Sequence, residues 1–158
     1  MHRTIEIVPA RTLSDGALQD LARAIVGEFG HAFPEWDETA ARFELTNADG
    51  LPTGYAALLD GEVAGCATLL PDDEVAGLER LTPWLGNVYV VPTARGRGVG
   101  AALVGAVERA AEHQGASVLH LITDTAVDWY AARGWRDLGV VSVHGTPMTH
   151  MVRELTPA

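Results

Sequence analysis

Residues 87–104 decide how this chain folds; they read Asn-Val-Tyr-Val-Val-Pro-Thr-Ala-Arg-Gly-Arg-Gly-Val-Gly-Ala-Ala-Leu-Val. An apolar run ends at Pro92, and from Val99 onward apolar residues recur at helical spacing. The first N–H groups of a helix have no partner within it, and the helix dipole adds partial positive charge there. Glycines at 96, 98 and 100 expose the backbone and tolerate positive φ. The stretch therefore predicts a strand, a loop that binds a diphosphate, and a helix.

Two familiar phosphate-binding loops fit the glycines incompletely. A Walker P-loop requires Gly-Lys-Ser/Thr at its end, and it fails because Ala101 follows Gly100. The dinucleotide fingerprint G-x-G-x-x-G/A is met by Gly96, Gly98 and Ala101, and Asp124 is a candidate ribose ligand. That fingerprint usually lies in the first βα unit of its fold, whereas here it lies past the middle of the chain. A NAD-binding protein stays open as a minor alternative.

A third loop type, Arg/Gln-x-x-Gly-x-Gly/Ala, is met by Arg95, Gly98 and Gly100. A second motif surrounds Tyr130, where residues 129–135 read Trp-Tyr-Ala-Ala-Arg-Gly-Trp. In both motifs, their order and their spacing, the chain resembles the GCN5-related N-acetyltransferase superfamily. The resemblance covers about residues 54–136 well and the first 50 residues only by topology.

The rest of the chain alternates between strand and helix patterns. Strand patterns cover about 3–8, 53–59, 62–70, 85–91, 118–122, 135–143 and 148–155. Helical patterns run from the N-cap Ser14 to Gly30, from Trp36 to Thr46, from Val99 to Gly115 and from Ala126 to Arg133. The order predicts one α/β domain over residues 1–158, with a mixed central sheet of about seven strands and helices on both faces.

The resemblance also implies a site for acetyl-CoA. In the superfamily, the strand before the loop and the strand after its helix splay apart around the pantetheine arm. The backbone of Val88, Tyr89 and Val90 is thereby assigned to pantetheine. Main-chain N–H groups are assigned to the pyrophosphate, from Arg95, Gly96, Arg97, Gly98, Val99, Gly100 and Ala101. Tyr130 matches a tyrosine that often protonates the departing thiolate; the alternative is that it only packs against the cofactor.

The amine side of the site is less defined. The strand 85–91 carries no acid or histidine, so the glutamate that some superfamily members use there as a base is missing. Two routes are therefore favoured: water relays the proton away from the amine, or the amine enters already neutral. Residues that could assist proton removal from a distance are Asp73, Glu74, Glu79 and His120. The candidate substrate-binding residues are Asp72, Asp73, Glu79 and Trp84, because carboxylates attract an ammonium group and an indole offers a cation–π face. The alternative is a solvated loop with Trp84 in the core.

Composition narrows the class of protein. With 11 basic and 21 acidic residues, the net charge of −10 disfavours nucleic acid as a partner. No apolar run approaches the roughly 20 residues that span a membrane, and no signal peptide is recognisable, so a cytoplasmic location is expected. The single cysteine, Cys66, lies in an apolar strand and indicates core packing. The six histidines show no metal-ligand spacing, so no metal is expected.

These observations favour one function: an acetyl-CoA-dependent N-acetyltransferase that acts on a primary amine of a small molecule by direct attack in a ternary complex. A non-catalytic acyl-CoA-binding sensor or interaction domain is the main alternative. The C-terminal strands are candidates for a homodimer contact. The identity of the acceptor, including whether it is a small molecule or a protein, does not follow from the sequence.

Overall fold

A seven-stranded sheet organises residues 4–157, which are the residues that the computed structural model describes. The strands are β1 (Ile5–Pro9), β2 (Thr53–Leu59), β3 (Glu62–Leu70), β4 (Trp84–Val90), β5 (Val118–Thr123), β6 (Arg136–Val143) and β7 (Thr146–Glu154). The helices are α1 (Asp15–Phe29), α2 (Glu38–Thr46), α3 (Val99–His113) and α4 (Val127–Ala131). Short 3-10 turns lie at Ala10–Thr12 and Pro92–Ala94. None of the helices in this described part of the chain is long and apolar enough to cross a membrane.

The strand order is β1-β2-β3-β4-β5-β7-β6, and the pairing is antiparallel except between β4 and β5. Those two strands are parallel because α3 connects them as a crossover, which a parallel pair requires. The predicted mixed sheet of seven strands is confirmed. A dinucleotide-binding fold of the doubly wound type needs a mainly parallel sheet, so that alternative is wrong for this chain.

Helices cover both faces of the sheet, as predicted. Neighbouring residues of a strand point to opposite faces. In β2, Ala56 belongs to a buried cluster with Ile25 of α1 and Leu45 of α2, whereas Ala57 belongs to a cluster with Leu103 of α3. The central strands are therefore buried between α1 and α2 on one side and α3 on the other.

Element boundaries depart from the sequence prediction at several ends. The second helix begins at Glu38 rather than Trp36, because the Asp37 carboxylate accepts the Ala40 N–H at 2.9 Å and caps the helix there. The last strand begins at Thr146 rather than Met148, because residues 144 and 145, with φ of 48° and 83°, form a two-residue hairpin turn. The fourth helix ends at Ala131. Residue 3, the predicted start of the first strand, lies outside the described residues.

Candidate active site

The loop before α3 has main-chain N–H groups without a hydrogen-bond partner in the described part of the chain. Gly96 and Gly98 have φ of 77° and 87°, and Gly98 is the N-cap of α3. A Cβ atom at Gly96 would meet nothing within 4 Å, so glycine is required there for the backbone conformation and not for space. Within residues 4–157, no hydrogen-bond acceptor pairs with the main-chain N–H groups of residues 96–101. These donors, at the positive end of a fifteen-residue helix, suit an anion.

Two details of this loop are visible only in the structure. Gly100 does not use its tolerance of positive φ; it lies in the first turn of α3, with Trp129 about where its Cβ would point. The Arg95 side chain donates a hydrogen bond from Nε to the Val90 carbonyl at 3.1 Å. That bond holds the loop against the end of β4. Arg97 is exposed.

The gap between β4 and β5 forms the main cleft. The two strands pair in register at Trp84 and His120. The main-chain N–H of His120 donates a hydrogen bond to the Pro83 carbonyl at 3.1 Å. Past this point, towards the loop, the two strands line opposite walls of a cavity of about 660 Å³. Strand β4 contributes residues 85–88 to the walls, and β5 contributes residues 121–123. The second half of β4 is half-buried for this reason, although its apolar sequence indicates burial on both faces.

A bulge in β4 lies at the centre of this cleft. Tyr89 pairs with Cys66 and Gly86 with Thr68, so Asn87 and Val88 together oppose the single residue between Cys66 and Thr68. Asn87 takes a left-handed φ of 55°. Its amide nitrogen donates to Glu44 Oε1 at 3.1 Å and to Thr68 Oγ1 at 3.3 Å. The bulge thus ties the central strand to helix α2.

Acidic and aromatic side chains dominate the cavity wall. The acids are Glu28, Glu44, Asp72, Asp73, Glu74 and Asp124; the aromatic residues are Phe29, Phe33, Trp36, Phe43 and Tyr130. No arginine is among the described residues that line the cavity. His31 does line it, and its Nε2 lies 3.3 Å from Asp124 Oδ2. The cavity is therefore suited to a cationic guest with apolar surface.

Burial and mutual repulsion perturb two of these carboxyl groups. Burial raises the pKa of Glu44, and hydrogen bonds from Asn87 and Trp36 oppose that rise. The pKa of half-buried Asp73 lies well above its usual range, first because of desolvation and then because of the carboxylates of Glu44, Asp72 and Glu74. A bound cation would favour the ionised form of both.

Tyr130 lies at the other side of the cavity, on α4. It is 7% exposed, and its ring packs edge-on against Trp129 and Trp135. Burial raises the pKa of Tyr130 above its ordinary value, and the nearby Arg133 opposes that shift. The Arg133 guanidinium stacks 3.6 Å from the centre of the Trp129 ring. Tyr130 is therefore protonated throughout the neutral range.

The structure separates the four candidate acceptor residues. Asp72 and Asp73 line the cavity. Glu79 does not; its carboxylate accepts the Gly77 N–H at 3.0 Å in the loop before β4. Trp84 is fully buried, and its indole N–H donates to the Leu81 carbonyl at 2.7 Å, so it offers no cation–π face to the cavity.

A buried histidine pair, not recognised from the sequence, explains the surroundings of Trp84. His120 Nδ1 lies 3.0 Å from His150 Nε2, and both rings lie within 5.3 Å of the Trp84 ring, between centroids. Burial lowers the pKa of His120 to about 4, with a contribution from His150, and burial also lowers the pKa of His150. His120 is therefore a neutral core residue and does not line the cavity.

Cys66 belongs to the core, as the sequence indicates, and two residues of the cavity were not recognised from the sequence. Cys66 is buried, and burial raises the pKa of its thiol to about 12, so it is no nucleophile at neutral pH. Glu44 and Asn87 were missed by the sequence analysis. Glu44 is one of two acids in the short helix α2, with nothing in the sequence to mark its position, and the left-handed conformation of Asn87 has no signal in a strand pattern. Among residues 4–157, no group of three His, Cys, Asp or Glu side chains is placed to hold a metal ion.

The chain is similar to known proteins in sequence profile and in fold. Residues 18–135 match the sequence profile described as the acetyltransferase (GNAT) family. No curated protein sequence is significantly similar to the chain. Among crystal structures, Escherichia coli ElaA is 19% identical, with a TM-score of 0.66 over 97% of this chain and all of ElaA.

Two further crystal structures show the same fold. A GCN5-related N-acetyltransferase from Rhodopseudomonas palustris is 23% identical, with a TM-score of 0.68 over 96% of each chain. N-acetylglutamate synthase from Neisseria gonorrhoeae, solved with coenzyme A and N-acetyl-glutamate, is 18% identical with a TM-score of 0.69. That match covers 96% of this chain and 35% of the synthase.

Proposed function

Because the chain belongs to the acetyltransferase (GNAT) family, we propose that it transfers an acetyl group from acetyl-CoA to a primary amine of a small molecule, by direct attack in a ternary complex. The observation that carries the proposal is the gap between β4 and β5. It begins near the unpaired N–H groups before α3 and leads to a cavity walled by carboxylates and Tyr130.

The loop residues fit the pyrophosphate of coenzyme A. The main-chain N–H groups of residues 96–101 have no acceptor within residues 4–157, and the space above Gly96 is open. Several such donors at one helix end favour a dianionic group. The exposed Arg97 adds a positive charge beside them.

The strand residues fit the pantetheine arm. Past Trp84, the edge of β4 that faces β5 has no partner in register within the described chain. Its main-chain groups from Val88 to Val90 that have no partner are therefore available to the amides of pantetheine, whereas the Val90 carbonyl already accepts the hydrogen bond from Arg95 Nε. A strand N–H group at this edge would also polarise the thioester carbonyl of acetyl-CoA, which supplies the acetyl group.

We assign Tyr130 to stabilising the sulfur of coenzyme A as it departs. Its raised pKa makes it a weaker acid than an exposed tyrosine. A hydrogen bond from its hydroxyl to the developing thiolate is therefore favoured over full proton transfer before the C–S bond breaks. Asp72 and Asp73 supply negative charge for the incoming ammonium group.

Two measurements test this function. Titration calorimetry with coenzyme A should show binding, and thiol release from acetyl-CoA should require one member of a panel of alkylamines, aminoglycosides and lysine-containing peptides. Amide formation, detected by mass spectrometry, should match the thiol released. Binding without thiol release would favour a non-catalytic acyl-CoA-binding domain, and faster turnover of peptides would contradict a small-molecule acceptor.

A further inference from the structure

We infer that Glu44 of α2 is the catalytic base, which takes the proton from the acceptor's ammonium group; the inference rests on the proposed function. The family resemblance points to the strand before the phosphate-binding loop for such a group, and β4 carries no acid or histidine. The structure brings a carboxylate to the same place from a different element.

The first support is position. Glu44 lines the cavity together with Gly86, Asn87 and Val88, the part of β4 at its bulge. The Asn87 amide holds Glu44 Oε1 at 3.1 Å. One carboxylate oxygen is thereby held against the strand assigned to the thioester. A carboxylate has about four acceptor positions, so Glu44 can still accept a hydrogen bond from an amine beside its bonds from Asn87 and Trp36.

The second support is how α2 is held. Gly54 of β2 faces the backbone of Leu45, and a Cβ at position 54 would lie 2.7 Å from both the Cα and the carbonyl oxygen of Leu45. The helix therefore packs on the sheet at the closest distance that its backbone allows. Since Leu45 adjoins Glu44, this contact fixes the carboxylate relative to β4.

The third support is electrostatic. The charged groups near Glu44 are Asp72, Asp73 and Glu74 of the loop after β3, and Glu28 of α1 lines the same cavity. All are acidic, and His31, the only basic side chain among the described residues that line the cavity, lies 3.3 Å from Asp124 Oδ2 through its Nε2. Burial and this repulsion raise the pKa of Glu44, which brings it closer to the pH at which a base works well. The pKa of Asp73 is raised more strongly than that of Glu44, but Asp73 makes no hydrogen bond to β4 that would orient its carboxylate.

The proton and electron changes balance as follows. The ammonium proton moves to the Glu44 carboxylate, and the nitrogen lone pair forms the bond to the acetyl carbon. The bond between that carbon and sulfur breaks, and its electron pair leaves with the thiolate, which accepts a hydrogen bond or proton from Tyr130. The proton on Glu44 then passes to solvent, so the carboxylate is restored. The nitrogen loses its second proton as the amide forms, and that proton neutralises the thiolate or restores Tyr130 if the tyrosine has donated. The products are the neutral amide, the thiol of coenzyme A and one proton in solvent.

The test compares Glu44→Gln with Asp73→Asn, using acetyl-CoA and the fastest alkylamine of the panel. At pH 7, Glu44→Gln should lower kcat/KM by about 100-fold or more, within the range usual for a general base. The variant can use only the amine that is already neutral. Its rate should therefore rise about tenfold per pH unit up to the pKa of the amine. Its deficit relative to the wild type should shrink accordingly.

Two controls separate this role from a structural one. Phenylhydrazine is neutral at pH 7, so with this acceptor Glu44→Gln should lose less than about tenfold. Coenzyme A affinity, measured by calorimetry, should be unchanged in Glu44→Gln, and Asp73→Asn, which leaves the base in place, should not acquire the tenfold rise in rate per pH unit. A deficit for Glu44→Gln that stays constant with pH, or the predicted pH signature in Asp73→Asn instead, would overturn the inference and leave the transferase proposal intact. A wild-type protein that releases no thiol with any amine overturns both.

Discussion

Gly54 in β2 lies directly beneath Leu45 in α2, at a distance that leaves no room for a side chain at position 54. Gly54 is buried, and the atoms it faces are backbone atoms, which cannot rotate away as a side chain can. This contact sets the height of α2 above the sheet, and with it the reach of Glu44 to Asn87 across 3.1 Å. A single missing Cβ atom therefore controls one wall of the cavity.

Substituting this glycine should damage both stability and the site. We expect Gly54→Ala to lower the free energy of unfolding by about 2 kcal/mol, because the added methyl group overpacks a rigid contact. Denaturant unfolding measures this, and Glu44-dependent turnover should fall with it. The matched control is Gly27→Ala in α1, where a Cβ meets nothing within 4 Å. It should stabilise the protein by about 0.5–1 kcal/mol. Equal effects of the two substitutions would contradict the close contact.

The phosphate-binding loop should depend on the backbone of Gly98. Because φ is 87° there, Gly98→Val forces a branched side chain into the left-handed region and turns the N–H groups away. We expect the Kd for coenzyme A to rise about tenfold or more in titration calorimetry. Gly115→Val carries a similar strain, with φ of 84°, at the far end of α3. It should reduce stability but leave coenzyme A affinity unchanged; a loss of affinity in both variants would count against the loop.

Tyr130 should act on the chemical step and not on binding. We expect Tyr130→Phe to lower kcat by about 10–100-fold with little change in the KM for acetyl-CoA, because only the departing thiolate needs the hydroxyl. Burial raises the pKa of Tyr130, so ionisation of the Tyr130 hydroxyl should not lower the activity of the wild-type enzyme up to pH 10. Steady-state kinetics across pH checks both points. Tyr55→Phe, outside the cavity lining, is the control, and an equal loss there would argue against a specific role.

The buried histidine pair should make stability depend on pH. The pKa of His120 is lowered to about 4 in the folded protein, whereas the unfolded chain titrates near 6.5. The unfolded state therefore binds more protons between these values, and stability is full above pH 6.5 and falls as the pH drops towards 4. The loss from His120 should be on the order of 2–3 kcal/mol.

The measurement is chemical unfolding at several pH values. Glu44 and Asp73, with raised pKa, act in the opposite direction over part of this range, so the informative quantity is the difference between two proteins. The double variant His120→Leu/His150→Leu should show a flatter decline than the wild type. Met148→Leu, in the same buried cluster as Trp84 but with no titratable group, should not change the slope. Parallel curves for wild type and double variant would refute the neutral pair.

The sequence by itself determined the elements and the loop. Strand alternation, helical spacing and the Gly96–Gly98 pattern depend on interactions between residues close in the chain, so they can be read locally. The order of these elements also determined the mixed sheet with helices on two faces, which the structure confirms. Errors in the predicted helices and strands were confined to their ends. A cap at Asp37 and a turn at residues 144 and 145 place two of these ends differently from the prediction.

Only the tertiary structure decided what faces the cavity. Asp72 and Glu79 look alike in the sequence, yet one lines the cavity and the other turns back onto its own loop. Trp84 is a core residue because the rings of His120 and His150, which are far apart in the chain, pack against its ring. Glu44 approached β4 because Gly54 lets α2 come close. Each outcome depends on a contact between residues distant in sequence, and such contacts are fixed only when the helices pack on the sheet.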